Sequence, residues 1–203
     1  MKPDSQAIHD GKMIQILDAV RTVLARKGMV AATISEIAHE AGVSRGLLHY
    51  YFKDKDDMVA RAFQASMETY KSGVMEIFET AESAAELARK LCHALRGILI
   101  HDPDFFRLIF ERWGLARRGP KMAGELTEFH QMFRNMIHEG MEKLIKRGVI
   151  CPRTSLTGMV FFLTGIVDGL GMQLVLEPVL ADDKAIWETT ENIVREMLEG
   201  TAG

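Results

Sequence analysis

Residues 34–58, ISEIAHEAGVSRGLLHYYFKDKDDM, contain two short helical patterns separated by a single glycine. Ala38 is small where the two helices would cross, and Leu48 points back from the second helix into that crossing. Gly42 lies between them, in a turn where a positive φ would strain any other side chain. Two helices that meet at a steep angle around a tight turn form a helix-turn-helix. The spacing therefore predicts this motif, with a core completed by Ile37, Ala41 and Val43.

The second helix of this motif presents one face away from its core. Ser44 precedes the helix and can cap the exposed amides of its first turn. In a DNA-binding protein this helix lies in the major groove, where its N-terminal residues meet base edges. A helix-turn-helix that only binds another protein would have the same core, so this alternative stays open. The residues on the outward face are Arg45, Gly46, Leu47, His49 and Tyr50.

The charge balance does not single out a nucleic-acid-binding protein. The formal net charge is −3, and within residues 1–57 the lysines and arginines are matched in number by the aspartates and glutamates. Affinity for phosphates depends on where the charges lie as well as on their sum. Binding to DNA would therefore rest on a few placed contacts, such as those of Arg45 and Lys55.

The composition indicates a soluble helical protein. Hydrophobic residues make up 47% and charged residues 26% of the chain, which is ordinary for a globular protein. Few prolines and many Ala, Leu, Met, Glu and Lys favour helix over sheet. Cys92 and Cys151 form no CxxC pair, which favours a reducing compartment. Residues 1–12 lack the apolar core of a signal peptide, so we expect a cytoplasmic protein.

Hydrophobic periodicity and capping signals predict about nine helices and no strands. The first helix ends at Gly28, and a long helix begins near Asp54 and runs to about Thr80. The expected fold is all-α, in two parts joined by that long helix. These are a helix-turn-helix DNA-binding domain at residues 1–53 and a larger helical domain for ligand binding and dimerisation at residues 54–203.

One helical segment, residues 156–176 with the sequence LTGMVFFLTGIVDGLGMQLVL, is apolar enough to raise the question of a membrane span. A span would place Asp168 in lipid at a cost of about 2.5–3.5 kcal/mol. We therefore expect no membrane and a helix buried on both sides. It is either a central core helix of a monomer or, as we favour, shared with a dimer interface, where Gly165 and Gly169 would permit close approach.

Aromatic residues and methionines follow helical spacing in the larger domain. Such a stripe most often packs in a core. However, thirteen methionines suit an adaptable interior, and small-ligand sites are mostly apolar with a few polar groups. We therefore expect an apolar or amphipathic ligand among helices five to eight. The candidate ligand-binding residues are Phe106, Phe110, Trp113, Phe129, His130, Phe133, Met136, Phe162 and Asp168.

Polar positions in this set have alternative roles. His130 shares a helix face with Arg134 and could bind an anion with it, although a packed or solvated pair is favoured. Asp168 could bind a cationic ligand, but a structural role, pairing with an arginine or capping backbone groups, is favoured. The chain contains no HExxH or Walker loop, so we expect no enzyme, metal site or cofactor.

The N-terminal pattern resembles the TetR family of transcriptional regulators over about residues 13–58. The later segment FLTGIVDGLGMQLVLEP resembles the penultimate helix of BetI-like and AcrR-like members. The sequence departs from the family at Leu47, where threonine or alanine is common, and at His49, where tyrosine is common. The residues that carry the resemblance are Ile16-Leu17, Ala19, Gly28, Thr33, Ile37-Ala38, Ala41-Gly42-Val43-Ser44, Gly46, Leu48, Tyr51-Phe52, Lys55 and Met58.

The resemblance implies a homodimer that binds a pseudo-palindromic operator in double-stranded DNA and a small-molecule effector. The dimer would form through the last two helices, at about residues 154–176 and 182–199. Repression relieved by the effector is the implied activity, with ligand-dependent activation as the alternative. Leu47 would contact a thymine methyl group. The implied contacts to the DNA backbone are Thr33, Ser44, Gly46, Tyr50 and Lys55, and those to base edges are Arg45 and His49.

Overall fold

The computed structural model describes residues 5–117 and 119–199, and every regular element in these ranges is helical. This confirms the all-α class and the expected number of helices. The ends of the two expected domains, residues 1–4 and 200–203, lie outside the described residues. The α-helices are α1 (Ser5–Ala31), α2 (Ile34–Glu40), α3 (Arg45–Tyr51), α4 (Lys55–Thr80), α5 (Ala84–His101), α6 (Pro103–Ala116), α7 (Pro120–Lys146), α8 (Leu156–Leu176) and α9 (Lys184–Glu199), with a short 3-10 helix at Pro178–Asp182.

Local side-chain caps set the boundaries of the short N-terminal helices. Thr33 and Glu36 form a capping box at the start of α2, and the Ser44 hydroxyl accepts the Leu47 amide at the start of α3. Gly42 has a φ of 59°, as the turn requires. Gly28 has a φ of 79° and interrupts the helical conformation within α1. The chain therefore breaks at the expected glycine, although helical residues resume after it.

The chain divides into two compact units, Met1–Thr69 and Tyr70–Gly203. The division lies inside α4, whereas the sequence placed the domain boundary at residue 53. The first turns of α4 bury Met58, Val59 and Ala62, and these residues belong to the N-terminal unit. The N-terminal unit therefore includes the start of α4 as well as α1, α2 and α3.

The N-terminal unit has the core that the spacing predicts. Ile37 and Leu48 are fully buried, and Ala38 and Ala41 are nearly so, whereas Val43 is half-buried. The side-chain amide of Gln15 in α1 donates to the carbonyl of Ala41, at 2.9 Å. This bond ties α1 to the turn between α2 and α3, so the turn is held from outside the motif as well as by its glycine.

The C-terminal unit is held together by close contacts between helices. Gly140 of α7 lies against Phe78 of α4: a Cβ at this position would be 2.4 Å from the phenyl ring. Gly171 of α8 lies against Phe106 of α6, where a Cβ would be 2.5 Å from that ring. The α5–α9, α6–α7 and α7–α8 pairs pack against each other. Helix α8 therefore sits among several helices of its own unit.

In the single chain α8 is not buried on both sides, so the alternative of a central core helix in a monomer is wrong. Phe161 and Phe162 are 58% and 54% exposed, and Leu176 is 75% exposed. Among the described residues, no other side chain or backbone lies within 4 Å of a Cβ placed on Gly165 or Gly169. One side of α8 packs in the unit and the other carries apolar residues to the surface. By length and composition alone, the helix would be able to cross a membrane.

Candidate nucleic-acid interface and ligand site

Helix α3 presents the predicted residues on its outer face. Leu48 is fully buried, which fixes the rotation of this two-turn helix. Arg45, Gly46 and His49 are consequently exposed, and Tyr50 is 76% exposed. Leu47 is half-buried. The geometry thus leaves a positive side chain, an imidazole and a phenol available on one short helix.

Two hydroxyl groups at α3 keep their protons available for an acceptor. The Ser44 Oγ accepts the Leu47 amide at 3.2 Å, and no acceptor for its own proton is found among the described residues. The Tyr50 ring contacts Tyr51 edge-on, with centroids 5.3 Å apart, while its phenol points outward from an exposed side chain. Ser44 therefore caps the helix without using its donor, and both residues can donate to a phosphate oxygen.

Thr33, in contrast, uses both of its donors inside the capping box. Its backbone amide and its hydroxyl donate to the same Glu36 Oε2 atom, at 3.0 and 2.9 Å. Glu36 also pairs with Lys27. The hydrogen bond from Lys27, followed by that from Thr33, lowers the pKa of Glu36 to about 2. A phosphate would receive the Thr33 proton only by displacing this carboxylate.

Lys55 is likewise committed within the fold. Its Nζ atom donates to the carbonyls of Met29 and Ala32 at 2.7 and 3.0 Å. An ammonium group has three donors, so one proton remains. The two bonds join the first residue of α4 to the end of α1, just after the break at Gly28. Holding these elements together is the role that the geometry gives to Lys55.

Ion pairing explains how an electrically balanced unit leaves positive charge near α3. Most cations of the unit have a partner: Lys12 donates to Gln15, and four others lie beside acids. Within the part of the chain that the structure describes, the charged groups of Arg45 and Lys53 make no hydrogen bond or ion pair, although the charge of Lys53 contributes to lowering the pKa of Asp57. Lys53 was not among the residues predicted from the sequence, although its position directly after the buried Phe52 was visible. The four ion pairs are Arg21–Asp18, Arg26–Glu40, Lys27–Glu36 and Arg61–Asp57.

Some of the predicted ligand-binding residues gather around His130. The His130 ring lies 5.8 Å from the Trp113 ring and 4.9 Å from the Phe129 ring. Its Nε2 atom is 3.5 Å from the Asp168 carboxylate. Residues of α6, α7 and α8 therefore meet here, and Trp113, which is 52% exposed, opens the cluster to solvent.

The two ring nitrogens of His130 have different surroundings: Nδ1 is hydrogen-bonded, whereas Nε2 is buried without a hydrogen bond and only approaches Asp168. The His130 Nδ1 lies 2.9 Å from the Leu126 carbonyl, so this nitrogen carries a proton. The Asp168 carboxylate raises the pKa of His130 against the opposing effect of burial. Arg134 does not share this site: its guanidinium lies over the Phe161 ring, 4.6 Å from the centroid. Asp168 thus lies beside His130, and not beside the arginine or the backbone groups that the structural interpretation named. The contacts of His130 and Arg134 favour packed side chains.

The other predicted ligand-binding residues lie elsewhere. Phe106 and Phe110 stack on each other with centroids 6.2 Å apart, and Phe106 is buried against Gly171. Met136 belongs to the main core of the C-terminal unit, with Phe133 packed against it. Phe162 is on the exposed face of α8. The structure thus divides the predicted set into a cluster, a core and a surface.

An open groove of about 420 Å³ lies between α4 and α7. Its lining combines methionines, amides and charged side chains. Of the predicted set it includes only Met136. The sequence signal for this groove is the recurrence of methionine and amide side chains along one face of α7. The lining residues are Lys71, Met75, Glu128, Gln131, Met132, Asn135, Met136 and Glu139.

The chain matches two protein-family models. Residues 16–62 match the model for bacterial regulatory proteins of the tetR family. Residues 84–199 match the model for the C-terminal part of a BetI-type transcriptional repressor. The first match includes the whole helix-turn-helix and the second covers α5 to α9. Together they account for both compact units.

Relatives and solved structures agree with these models along most of the chain. The HTH-type transcriptional regulator YfiR of Bacillus subtilis is 22% identical over 94% of this chain and 93% of its own length. The regulator BetI of Klebsiella pneumoniae is 22% identical over 91% of this chain and 92% of its own. The structure of FadR from Bacillus subtilis superposes with a TM-score of 0.74 at 20% identity, covering 93% of this chain and 99% of that one.

The fold, the exposed donors of α3 and the family matches lead to one assignment. The BetI-type model matches more than half of the chain, which establishes the family. The tetR-family model matches the residues that form the helix-turn-helix in the structure. This protein belongs to the TetR family of bacterial transcriptional regulators and is a DNA-binding regulator with a BetI-type C-terminal domain.

Proposed function

We propose that this regulator acts as a homodimeric repressor that releases its operator when a small apolar or amphipathic molecule binds the C-terminal unit. The observation that carries its DNA-binding part is the outer face of α3, where Arg45, Ser44 and Tyr50 have donors without acceptors among the described residues. Arginine pairs with guanine O6 and N7, and hydroxyl groups bind phosphates. Family membership favours a cytoplasmic protein.

The exposed face of α8 supports dimerisation. A row of apolar side chains that includes Phe161, Phe162 and Leu176 is left uncovered in one chain, and Gly165 and Gly169 leave room for a facing helix. Two copies that bury this face would explain why an apolar helix is half exposed. They would also supply two α3 helices, which is what an operator with two half-sites about 34 Å apart requires.

Sedimentation velocity of matched variants tests the dimer. Phe162→Glu places a charge on the exposed α8 face and is expected to shift the protein from dimer to monomer. Met132→Glu is the control, because Met132 is also an exposed apolar residue (41%) but lies on α7. If Phe162→Glu sedimented like wild type, the α8 interface would be wrong.

Three observations support an apolar or amphipathic effector. The methionine-lined groove between α4 and α7 can adapt to a flexible ligand. The cluster around His130 adds aromatic surface with an open edge at Trp113. The related FadR of Bacillus subtilis was solved in complex with stearoyl-CoA, which shows that a similar fold accommodates a long acyl chain.

Release of DNA follows from differential binding. An effector weakens operator binding only by its preference for a conformation that binds DNA less well. Helix α4 contributes residues to both compact units, so it is the element through which we expect the effector to act. The observed consequence would be relief of repression rather than activation.

Fluorescence anisotropy of a labelled promoter fragment tests this mechanism. The probe is stearoyl-CoA, with coenzyme A as the control that lacks the acyl chain, followed by a series of acyl-CoAs and fatty acids. A ligand whose binding is detected calorimetrically should lower the affinity for the fragment. A ligand that bound the protein and left DNA affinity unchanged would contradict ligand-relieved repression.

A further inference from the structure

Two lysines flank the start of α4, and their surroundings differ. Lys55 donates to two carbonyls of the α1 end, at Met29 and Ala32, and is only partly exposed. Lys53 is exposed, and among the described residues no acceptor or acid binds its ammonium group. Lys55 therefore holds the fold together, whereas Lys53, two residues earlier, is available to a partner.

The backbone around Lys53 is fixed although its side chain is free. The preceding residue, Phe52, is 2% exposed and anchors the end of α3. The Lys53 amide donates to the Asp57 carboxylate at 3.0 Å. The ammonium group thus projects from an ordered junction that directly follows the DNA-facing helix, and little backbone entropy would be lost on binding a phosphate there.

The neighbouring acids are largely occupied by other groups. The second Asp57 oxygen accepts Arg61 Nε at 3.0 Å, so a cation other than Lys53 lies beside this carboxylate. An Asp54 oxygen accepts the Asp57 amide at 2.8 Å. The Lys53 charge is among the causes that lower the pKa of Asp57, but no ion pair joins the two side chains. Because both carboxylates already accept hydrogen bonds from other groups, the Lys53 ammonium can bind another anion.

We propose that Lys53, rather than Lys55, supplies the ammonium that binds a DNA phosphate at the junction of α3 and α4. Lys55 acts as a positioning residue that joins α4 to the end of α1. This assignment departs from the one implied by family resemblance, which selected Lys55. It rests on the proposed placement of α3 in the major groove, because only then does the junction lie beside the phosphate backbone.

The dependence of DNA affinity on salt distinguishes the two lysines. Each neutralised phosphate contributes about −0.9 to the slope of log Kobs against log[salt] on duplex DNA. Lys53→Gln should therefore make the slope shallower by about 0.9 for each bound protomer, with an unchanged thermal midpoint. Lys55→Gln should lower the thermal midpoint, and the slope of the folded protein should match that of wild type.

The measurement is fluorescence anisotropy with a genomic fragment selected by the wild-type protein, over a series of KCl concentrations. Lys90→Gln is the control for loss of one positive charge, since Lys90 pairs with Glu86 on α5. The proposal is overturned if Lys53→Gln gives the slope of Lys90→Gln, or if Lys55→Gln gives the shallower slope. Arg45→Ala tests the underlying assignment separately: if it binds as wild type does, α3 does not read DNA and the role of Lys53 falls with it.

Discussion

The two compact units differ in how far apart in sequence their decisive contacts lie. In the N-terminal unit, the caps at Thr33 and Ser44 each join residues three positions apart. In the C-terminal unit, the His130–Asp168 pair spans 38 positions by residue number, and Arg96 donates to the carbonyl of Ala181, 85 positions away. Local spacing determines the first unit, whereas tertiary packing determines the second.

Function and stability are consequently more separable in the first unit than in the second. In the N-terminal unit a buried scaffold, with Leu48 at its centre, supports exposed residues such as Arg45 and His49. Substitutions can therefore change one property without the other. In the C-terminal unit the candidate ligand-binding residues include core residues such as Phe106, so changing the site also changes the packing.

The largest effect should separate the two leucines of α3. Leu48→Ala removes a fully buried side chain and should lower the free energy of unfolding by about 2–5 kcal/mol. Leu47→Ala, on the outer face, should cost much less stability while altering DNA binding. Chemical denaturation followed by far-ultraviolet circular dichroism measures both. Equal losses of stability in the two variants would mean that scaffold and surface are not separate.

The next effect tests a close approach in the C-terminal unit that no local pattern indicates. Gly140→Ala would place a methyl group 2.4 Å from the Phe78 ring. Because Phe78 is fully buried, this overpacking should cost about 1–3 kcal/mol. Gly97→Ala in α5 is the control, since it has open space and should gain about 0.5–1 kcal/mol from helix propensity. Thermal unfolding measures the stability of both variants. A Gly140→Ala protein more stable than wild type would contradict overpacking against Phe78.

A glycine of the N-terminal unit gives a smaller effect of a different origin. Gly42 has a φ of +59°, and no described atom outside its own turn lies within 4 Å of where a Cβ would stand. Gly42→Ala should therefore cost about 1–2 kcal/mol through backbone strain alone. Gly11→Ala in α1, which also has open space but lies in a helix, should be neutral or stabilising in the same denaturation experiment. Matching behaviour of the two variants would exclude strain at the turn.

The smallest effect concerns pH and the His130–Asp168 pair. Asp168 raises the pKa of His130 above its ordinary value of 6.5, so the pair stabilises the fold when the imidazole is protonated. This contribution is fully present below pH 6.5 and is lost as the pH rises through the folded pKa. Asp168→Asn should therefore destabilise the protein more at about pH 5.5 than at about pH 9.

The pH effect has an internal control. In a His130→Gln background, Asp168→Asn should show a smaller difference between acidic and alkaline conditions, because the titrating partner is gone. Burial of His130 and the charge of Arg134 oppose the shift, which keeps the expected effect small. A wild-type advantage over Asp168→Asn that grew towards alkaline pH would contradict the sign.

The sequence predicted the helices and the motif well because their signals are local. Gly42, Ser44 and Leu48 occupy fixed positions relative to one another, and each has one physical role in a helix-turn-helix. The sequence could not show that Lys55 is engaged by the end of α1, since its acceptors lie more than twenty positions away. For the same reason it did not single out Lys53, whose proposed role depends on the contrast with Lys55.

In the C-terminal unit, periodicity identified apolar faces but not what covers them. The pattern of α8 is the same whether its second face meets the core or another subunit. The sequence therefore left both alternatives open, and the exposure of Phe161 and Phe162 contradicts the first of them. The prediction of the ligand site also grouped Phe133 with Phe106, although Phe133 packs against the main core and Phe106 against Gly171. Which residues line a ligand site depends on how the helices cross, and periodicity does not contain that information.

We expect the exposed residues of α3 to recognise DNA, and we expect substitutions among them to leave the stability of the buried scaffold unchanged. Selection of genomic fragments by purified wild-type protein and by Arg45→Ala, at equal thermal midpoints, is the decisive measurement. Wild type should enrich fragments that share two inverted half-sites, and Arg45→Ala should lose about 1–3 kcal/mol of discrimination per half-site. If wild type enriched no fragment, or if Arg45→Ala enriched the same fragments with the same affinity, the claim that the exposed face of α3 recognises DNA would be contradicted.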